Sequence, residues 1–181
     1  APTRFAPPPT YTEMDEAQRQ LQLAEFIAKG IEEEDMTFDI RAVPFVGKGP
    51  VSRVAVVMEV PFAQLRRIAD AREDGRAELD VLGYVLDGDG EMRDLFSRKV
   101  TLDVNRIAER MEGLPFRYYD LLWSLPGQHR VRVLVRDANV GMLSTRTVDV
   151  DVPSFAAPQA VLVSGPVAVD ASHPGLLMRG F

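Results

Sequence analysis

The sequence predicts a mainly β fold, a two-sheet antiparallel sandwich of about seven strands, on three observations. Between Met36 and Val152, apolar side chains recur at every second position in run after run. Turn-forming Gly, Pro, Asn and Asp break those runs roughly every ten residues. Helical spacing, by contrast, is confined to a stretch before Gly30 and two short connections.

The first segment, residues 1–35, reads as an arm and a helix. Pro2, Pro7, Pro8 and Pro9 favour extended backbone and block a helix. Thr12 is the expected N-cap, and Glu13, Asp15 and Glu16 place negative charge in the first turn, where the helix dipole favours it. Leu21, Ala24, Ile27 and Ala28 fall at helical spacing with Leu23 and Phe26 beside them, so one face is built to dock. Gly30 is the expected stop, and Glu32 to Asp35 reads as a solvated acidic loop.

The sandwich spans residues 36–153. Phe38, Ile40 and Ala42 alternate with Asp39 and Arg41 up to Pro44, and a second strand follows over Arg53–Val60 with Val54, Val56, Met58 and Val60 on one face. Residues 62–72 read as one or two helical turns or a loop over one end of the sandwich. Ala77–Leu86 and Asp94–Leu102 are strands joined by Asp87-Gly88-Asp89-Gly90, a strong hairpin signal because Gly supplies positive φ. A polar connection over Asn105–Met111 leads to a strand at Phe116–Leu125. Pro126-Gly127 turns that strand into Arg130–Arg136, where Val131, Val133 and Val135 alternate with arginines. Thr145–Val152 is the last clear strand. Residues 154–181 form a Pro-broken arm expected to add at most an edge strand. Its apolar end, Leu176, Leu177, Met178 and Phe181, needs a partner inside or outside the chain.

Composition excludes several classes of function. With 0 Cys there are no disulfides, thiolate metal sites or thiol nucleophiles. A net charge of -6, with 21 scattered Lys and Arg, gives no phosphate-binding stripe and no reason to expect a nucleic-acid partner. No apolar run approaches the roughly 18 residues that span a bilayer. No signal peptide is visible, and a start at Ala1 is what a mature product or a fragment would show.

The search for chemistry finds little. The two histidines, His129 and His173, lie far apart in the chain, without the local spacing of a zinc site. There is no Gly-x-Ser-x-Gly elbow to nominate a serine nucleophile and no phosphate-binding loop. Asp87, Asp89 and Glu91 alternate as oxygen ligands for calcium would, although the position that closes an EF-hand loop falls on Arg98. A plain hairpin turn is the competing reading. Asp149 and Asp151 share a strand face, as a glycosidase pair or as a solvated edge that discourages aggregation. Tyr119 and Trp123 share a face opposite Tyr118, which makes a sugar platform conceivable, yet a Trp on a middle strand is expected in the core.

Several phrases resemble a known group. Arg4-Phe5-Ala6-Pro7, then Tyr11-Thr12-Glu13-Met14 and a charged helix, resemble the segment that follows the von Willebrand factor A-type domain in secreted bacterial "VWFA-related" proteins. Ala77 to Val85 and Leu125 to Asp137 also fit, the latter resembling the penultimate hairpin of immunoglobulin-like sandwiches, with His129 where Tyr is commoner. The likeness covers roughly residues 4–155. The A-type metal signature Asp-x-Ser-x-Ser is missing: in Asp170-Ala171-Ser172, Pro174 takes the last place. Metal-dependent adhesion therefore does not carry over.

These readings lead to one expectation. The chain is an immunoglobulin-like or fibronectin-like sandwich, extracellular or at the cell surface with the periplasm as the alternative. It binds a protein partner or itself, without catalysis and without a cofactor other than the calcium candidate. Its arms exchange strands between subunits and build a filament if the exchange is head to tail. The rival reading is a lectin-like or glycan-active sandwich using Tyr119 and Trp123.

Overall fold

The computed structural model describes residues 14–15, 18, 25–27, 34–47, 49–111, 113–154 and 177–179. Eight strands appear in these residues: β1 (Asp39–Phe45), β2 (Ser52–Val60), β3 (Arg76–Leu86), β4 (Met92–Asp103), β5 (Phe116–Ser124), β6 (Gly127–Asp137), β7 (Leu143–Val152) and β8 (Leu177–Arg179). They form two sheets, β1-β2-β5-β8 and β4-β3-β6-β7. Every pairing among β1 to β7 is antiparallel, whereas β8 lies parallel to β5. The first seven strands thus make the three-plus-four immunoglobulin-like sandwich, in the strand order of fibronectin-type domains.

Alternation decides the core. On β2, Val54, Val56, Met58 and Val60 are buried, while Arg53, Ala55, Val57 and Glu59 between them are half-exposed. On β5 the buried set is Phe116, Tyr118, Leu122 and the polar Asp120 and Ser124. The facing sheet contributes Leu79, Val81, Val85, Val131, Val133 and Val135. Gly83 sits where the Phe96 ring crosses β3: a Cβ there would lie 2.2 Å from Phe96 Cζ, so only glycine lets the ring through.

Both short connections are helices. α1 (Phe62–Asp70) buries Phe62, Leu65, Ile68 and Ala69 at helical spacing. α2 (Val104–Met111) is capped by Asp103, whose Oδ1 accepts the Arg106 N–H at 3.1 Å, and it buries Val104 and Met111 at its two ends. No helix among the described residues is long and apolar enough to cross a membrane.

Three expectations change. Pro126-Gly127 does not close a hairpin between β5 and β6. The two strands lie in different sheets, and Gly127, at φ 132, lets the chain cross from one sheet to the other. Within its sheet β6 pairs with β3 and with β7, and only the β6–β7 pair is a hairpin. Nor is the acidic run a free loop at its end. The Asp35 N–H donates to the Leu143 carbonyl, the Leu143 N–H donates to Asp35 Oδ2, and the Met36 N–H donates to Ser144 Oγ at 2.6 Å. These bonds stitch the chain entering β1 to β7 and tie the two sheets together. Trp123, expected in the core, is 40% exposed.

The docked helix is seen where it is described. Residues 25–27 are helical, and Phe26 and Ile27 pack on a second cluster made of Leu82, Tyr84, Leu134 and Leu143. That cluster lies on the outer face of the four-stranded sheet, so this face has apolar cover. The arm before the helix, and residues 155–176, 180 and 181, lie outside the described residues.

Candidate functional site

Two features of β5 bring the predicted interaction residues together: its edge and its outer face. At the edge, Arg117, Tyr118 and Tyr119 pair with Leu177, Met178 and Arg179 of β8. Leu177 and Met178, expected to need a partner, therefore sit in a strand, while Leu176 and Phe181 lie outside the described residues. Further along β5, the edge turns to the other sheet. The Trp123 N–H donates to Asp94 Oδ2 at 2.8 Å. Asp120 accepts from the Tyr118 hydroxyl at 3.0 Å and the Leu121 N–H at 2.8 Å, and Arg98 Nε lies 3.1 Å away as an ion pair without a well-aligned hydrogen bond. Burial, and then the neighbouring Asp120 carboxylate, push the Tyr118 hydroxyl above its ordinary value, so it remains a donor. Asp120 is thus the clamp between β4 and β5, not a free acid.

The outer face of β1, β2 and β5, the three-stranded sheet of the seven-strand sandwich to whose edge β8 is added, is organised in cross-strand rows. Phe45, Arg53 and Trp123 make one; Val43, Ala55 and Leu121 the next; Arg41, Val57 and Tyr119 the third; Asp39, Glu59 and Arg117 the last. Tyr119 and Trp123 do share this face, as alternation predicts, with Tyr119 half-buried and Trp123 exposed. Arg53 was not anticipated as a site residue. Its guanidinium carbon lies 4.8 Å from the Trp123 ring centroid, a cation–π stack. The signal in the sequence was an Arg at the head of a Val-rich strand, too common to single out. At the other end of the face, Arg117 Nε donates to Glu59 Oε1 at 2.6 Å.

The calcium candidate does not assemble. Asp87 Oδ1 accepts the N–H groups of Asp89 (3.0 Å) and Glu91 (2.9 Å), and Oδ2 accepts from Arg93 Nε at 2.6 Å. Arg93 also lies 3.0 Å from a Glu91 oxygen. The guanidinium stands where a cation would be needed. No three His, Asp or Glu side chains among the described residues group as metal ligands. Burial alone would raise the Asp87 carboxyl, but the Glu91 amide, Arg93 and the Asp89 amide outweigh it and hold it below the usual carboxylate range. The loop is the hairpin turn that joins β3 and β4, closed by the Asp87 N–H on the Glu91 carbonyl at 3.0 Å.

Beside that turn lies a cleft of about 540 Å³ lined by Asp87, His129, Arg130, Asp149 and Asp151, among others. Asp149 and Asp151 are both exposed on the outer face of β7, and Asp149 is paired with Arg130 at 3.1 Å. His129 is only 8% exposed. Its Nε2 lies 2.7 Å from the Leu125 carbonyl and 3.1 Å from Ser124 Oγ. A carbonyl only accepts, so Nε2 carries a proton and ties the start of β6 back to the end of β5. The bond does what the tyrosine hydroxyl does at the same corner of immunoglobulin-like domains. His129 is accounted for as a corner residue.

No protein-family model matches the chain, and no curated protein matches it. Among solved structures, a glycosyl hydrolase family 2 member from Bacteroides cellulosilyticus is similar over 66% of this chain and 15% of its own, at 11% identity and TM-score 0.47. A Bacteroides uniformis beta-glucuronidase is similar over 64% of this chain and 13% of its own, at 12% identity and TM-score 0.41. A further beta-glucuronidase of glycoside hydrolase family 2 has 8% identity and TM-score 0.40, covering 62% of this chain and 11% of that one. The chain therefore spans a small part of each of these larger proteins.

Proposed function

We propose that the chain is a non-catalytic interaction and structural module, acting outside the cytoplasm, that exchanges its C-terminal strand with a second copy. The observation that carries this reading is β8. Among the described residues it joins the β5 edge through three residue pairs, in parallel register, and residues 153–176 separate it from β7. A parallel pairing of that length is weak, and a connection of that length, extended at about 3.3 Å per residue, reaches the same edge of a neighbour. Strand addition to an exposed sheet edge is a general mode of protein recognition, and head-to-tail repetition gives a filament. The extracellular setting rests on the resemblance of the N-terminal phrases to secreted "VWFA-related" proteins.

Light scattering on the full chain and on one lacking residues 154–181 tests the exchange. The full chain is expected to associate as concentration rises and the shortened one to stay monomeric. Two monomers would sink the idea. A second reading, a carbohydrate-binding sandwich, is favoured by the exposed Trp123 on the same face as Tyr119. Glycan-array binding that disappears in Trp123→Ala, with the fold intact, would establish it in place of the first.

A further inference from the structure

We infer that the outer face of the three-stranded sheet is a receptor for an extended protein segment carrying a carboxylate flanked by apolar side chains, with Arg53 as the residue that takes the carboxylate. The inference rests on the reading of the chain as a protein-binding module but concerns a surface distinct from the β5 edge.

Arg72, Arg93, Arg98, Arg117, Arg130, Arg136 and Arg146 each have a carboxylate within ion-pair distance. Arg53 has none among the described residues, and neither do the exposed Arg41, Arg66, Arg67, Arg76, Arg106 and Arg110. What sets Arg53 apart is its half-buried place against an aromatic ring. It is half-buried, its Nε is shielded from water without a hydrogen-bond partner, and its contact is the flat face of Trp123. The Trp123 ring lies to one side of the guanidinium and Nε is shielded from water, which leaves the two terminal nitrogens as the donors for a carboxylate. A stacked arginine is also held in one orientation beforehand, so less freedom is lost when the ligand arrives.

The surroundings choose the class of ligand. Phe45 and Trp123 flank Arg53 in its row and are 37% and 40% exposed. Below the row, Val57, Leu121 and Tyr119 continue an apolar stripe of half-buried side chains along the sheet. Large aromatic side chains around one arginine are the composition of a binding hot spot. Arg53 takes one face of the indole, and a sugar ring has little to gain from Val57 and Leu121. A peptide offers both a carboxylate for Arg53 and apolar side chains for the stripe.

The test is selection of random short peptides displayed on phage against the full chain, with binding of the selected peptides then measured in solution. The expected peptides carry Asp or Glu between apolar residues. They should lose about tenfold or more in affinity on Arg53→Gln and on Trp123→Ala, keep part of it on Arg53→Lys, and weaken as salt rises. Thermal unfolding of each variant confirms that the fold is intact. Selected peptides without acidic bias, or undiminished binding by Arg53→Gln, would overturn the inference. Peptides that lose binding only when residues 177–181 are removed would place recognition at the β5 edge, leaving the module reading intact and this one refuted. If nothing is selected, this inference fails, while the exchange reading stands or falls on light scattering. A uronic-acid oligosaccharide that binds through Arg53 where acidic peptides do not would also overturn it, in favour of a glycan.

Discussion

The two outer faces of the sandwich begin with the same material and are finished differently. On the four-stranded sheet, Leu82, Tyr84, Leu134 and Leu143 form an apolar patch that Phe26 and Ile27 cover. On the three-stranded sheet, Phe45 and Trp123 stay substantially exposed around an arginine that no carboxylate among the described residues neutralises. The first patch has become a second core, fixed inside the fold. The second has the composition of an interface and the exposure of one. An apolar outer face is therefore not by itself a sign of function. What distinguishes the two is whether the chain's own described residues complete them.

The largest effect that tests this contrast is on the covered face. Tyr84 is a fully buried side chain although it lies outside the sandwich. Tyr84→Ala leaves a large cavity under the helix and is expected to cost about 3–5 kcal/mol in denaturant unfolding, as in a true core. A cost below about 1 kcal/mol would mean that the helix gives no real cover. Phe26→Ala removes the covering side from a half-buried position and is expected to cost about 1–2 kcal/mol. Trp123→Ala, on the other face, should change stability by less than about 1 kcal/mol. If it cost as much as Tyr84→Ala, Trp123 would be a packing residue and the face would lose its claim to be an interface.

Much of this was legible in the sequence, and the gaps have a physical pattern. Val148, Val150 and Val152 alternate with polar residues, so their strand and its inward face follow directly. Val131, Val133 and Val135 mark the inward face of β6 in the same way, although Leu134 and Arg136 on its other face are buried too. On β5 both sets are apolar: Phe116, Tyr118 and Leu122 against Tyr119, Leu121 and Trp123. Alternation says which residues share a face, not which face is inside, so it leaves Trp123 to the general preference of a middle-strand Trp for the core, which the structure does not follow. Pro126-Gly127 announces a turn but not whether the turn stays within one sheet. Arg53 was illegible for a different reason. Its significance lies in what it lacks, a carboxylate, and in a stack on a residue seventy positions away in the sequence.

The contrast also has an electrostatic side, and it gives the smallest and sharpest prediction. Arg93, at the β3–β4 turn, is matched by Asp87, while Arg53 has no such partner among the described residues. The Asp87 carboxyl is held below its ordinary value, so it binds fewer protons folded than unfolded between the two values. Its contribution is then complete above the ordinary carboxylate range near about pH 4 and is lost only as pH falls through the lowered value. The Asp87 side-chain carboxyl carbon resonance should titrate below the ordinary carboxylate range, and the Asp89 and Glu91 N–H bonds to Asp87 Oδ1 should persist down to it. Millimolar calcium or a chelator should leave them in place, because Arg93 already occupies the carboxylate. A titration midpoint at or above the ordinary value, or a calcium-dependent shift, would show that the turn is not held by Arg93.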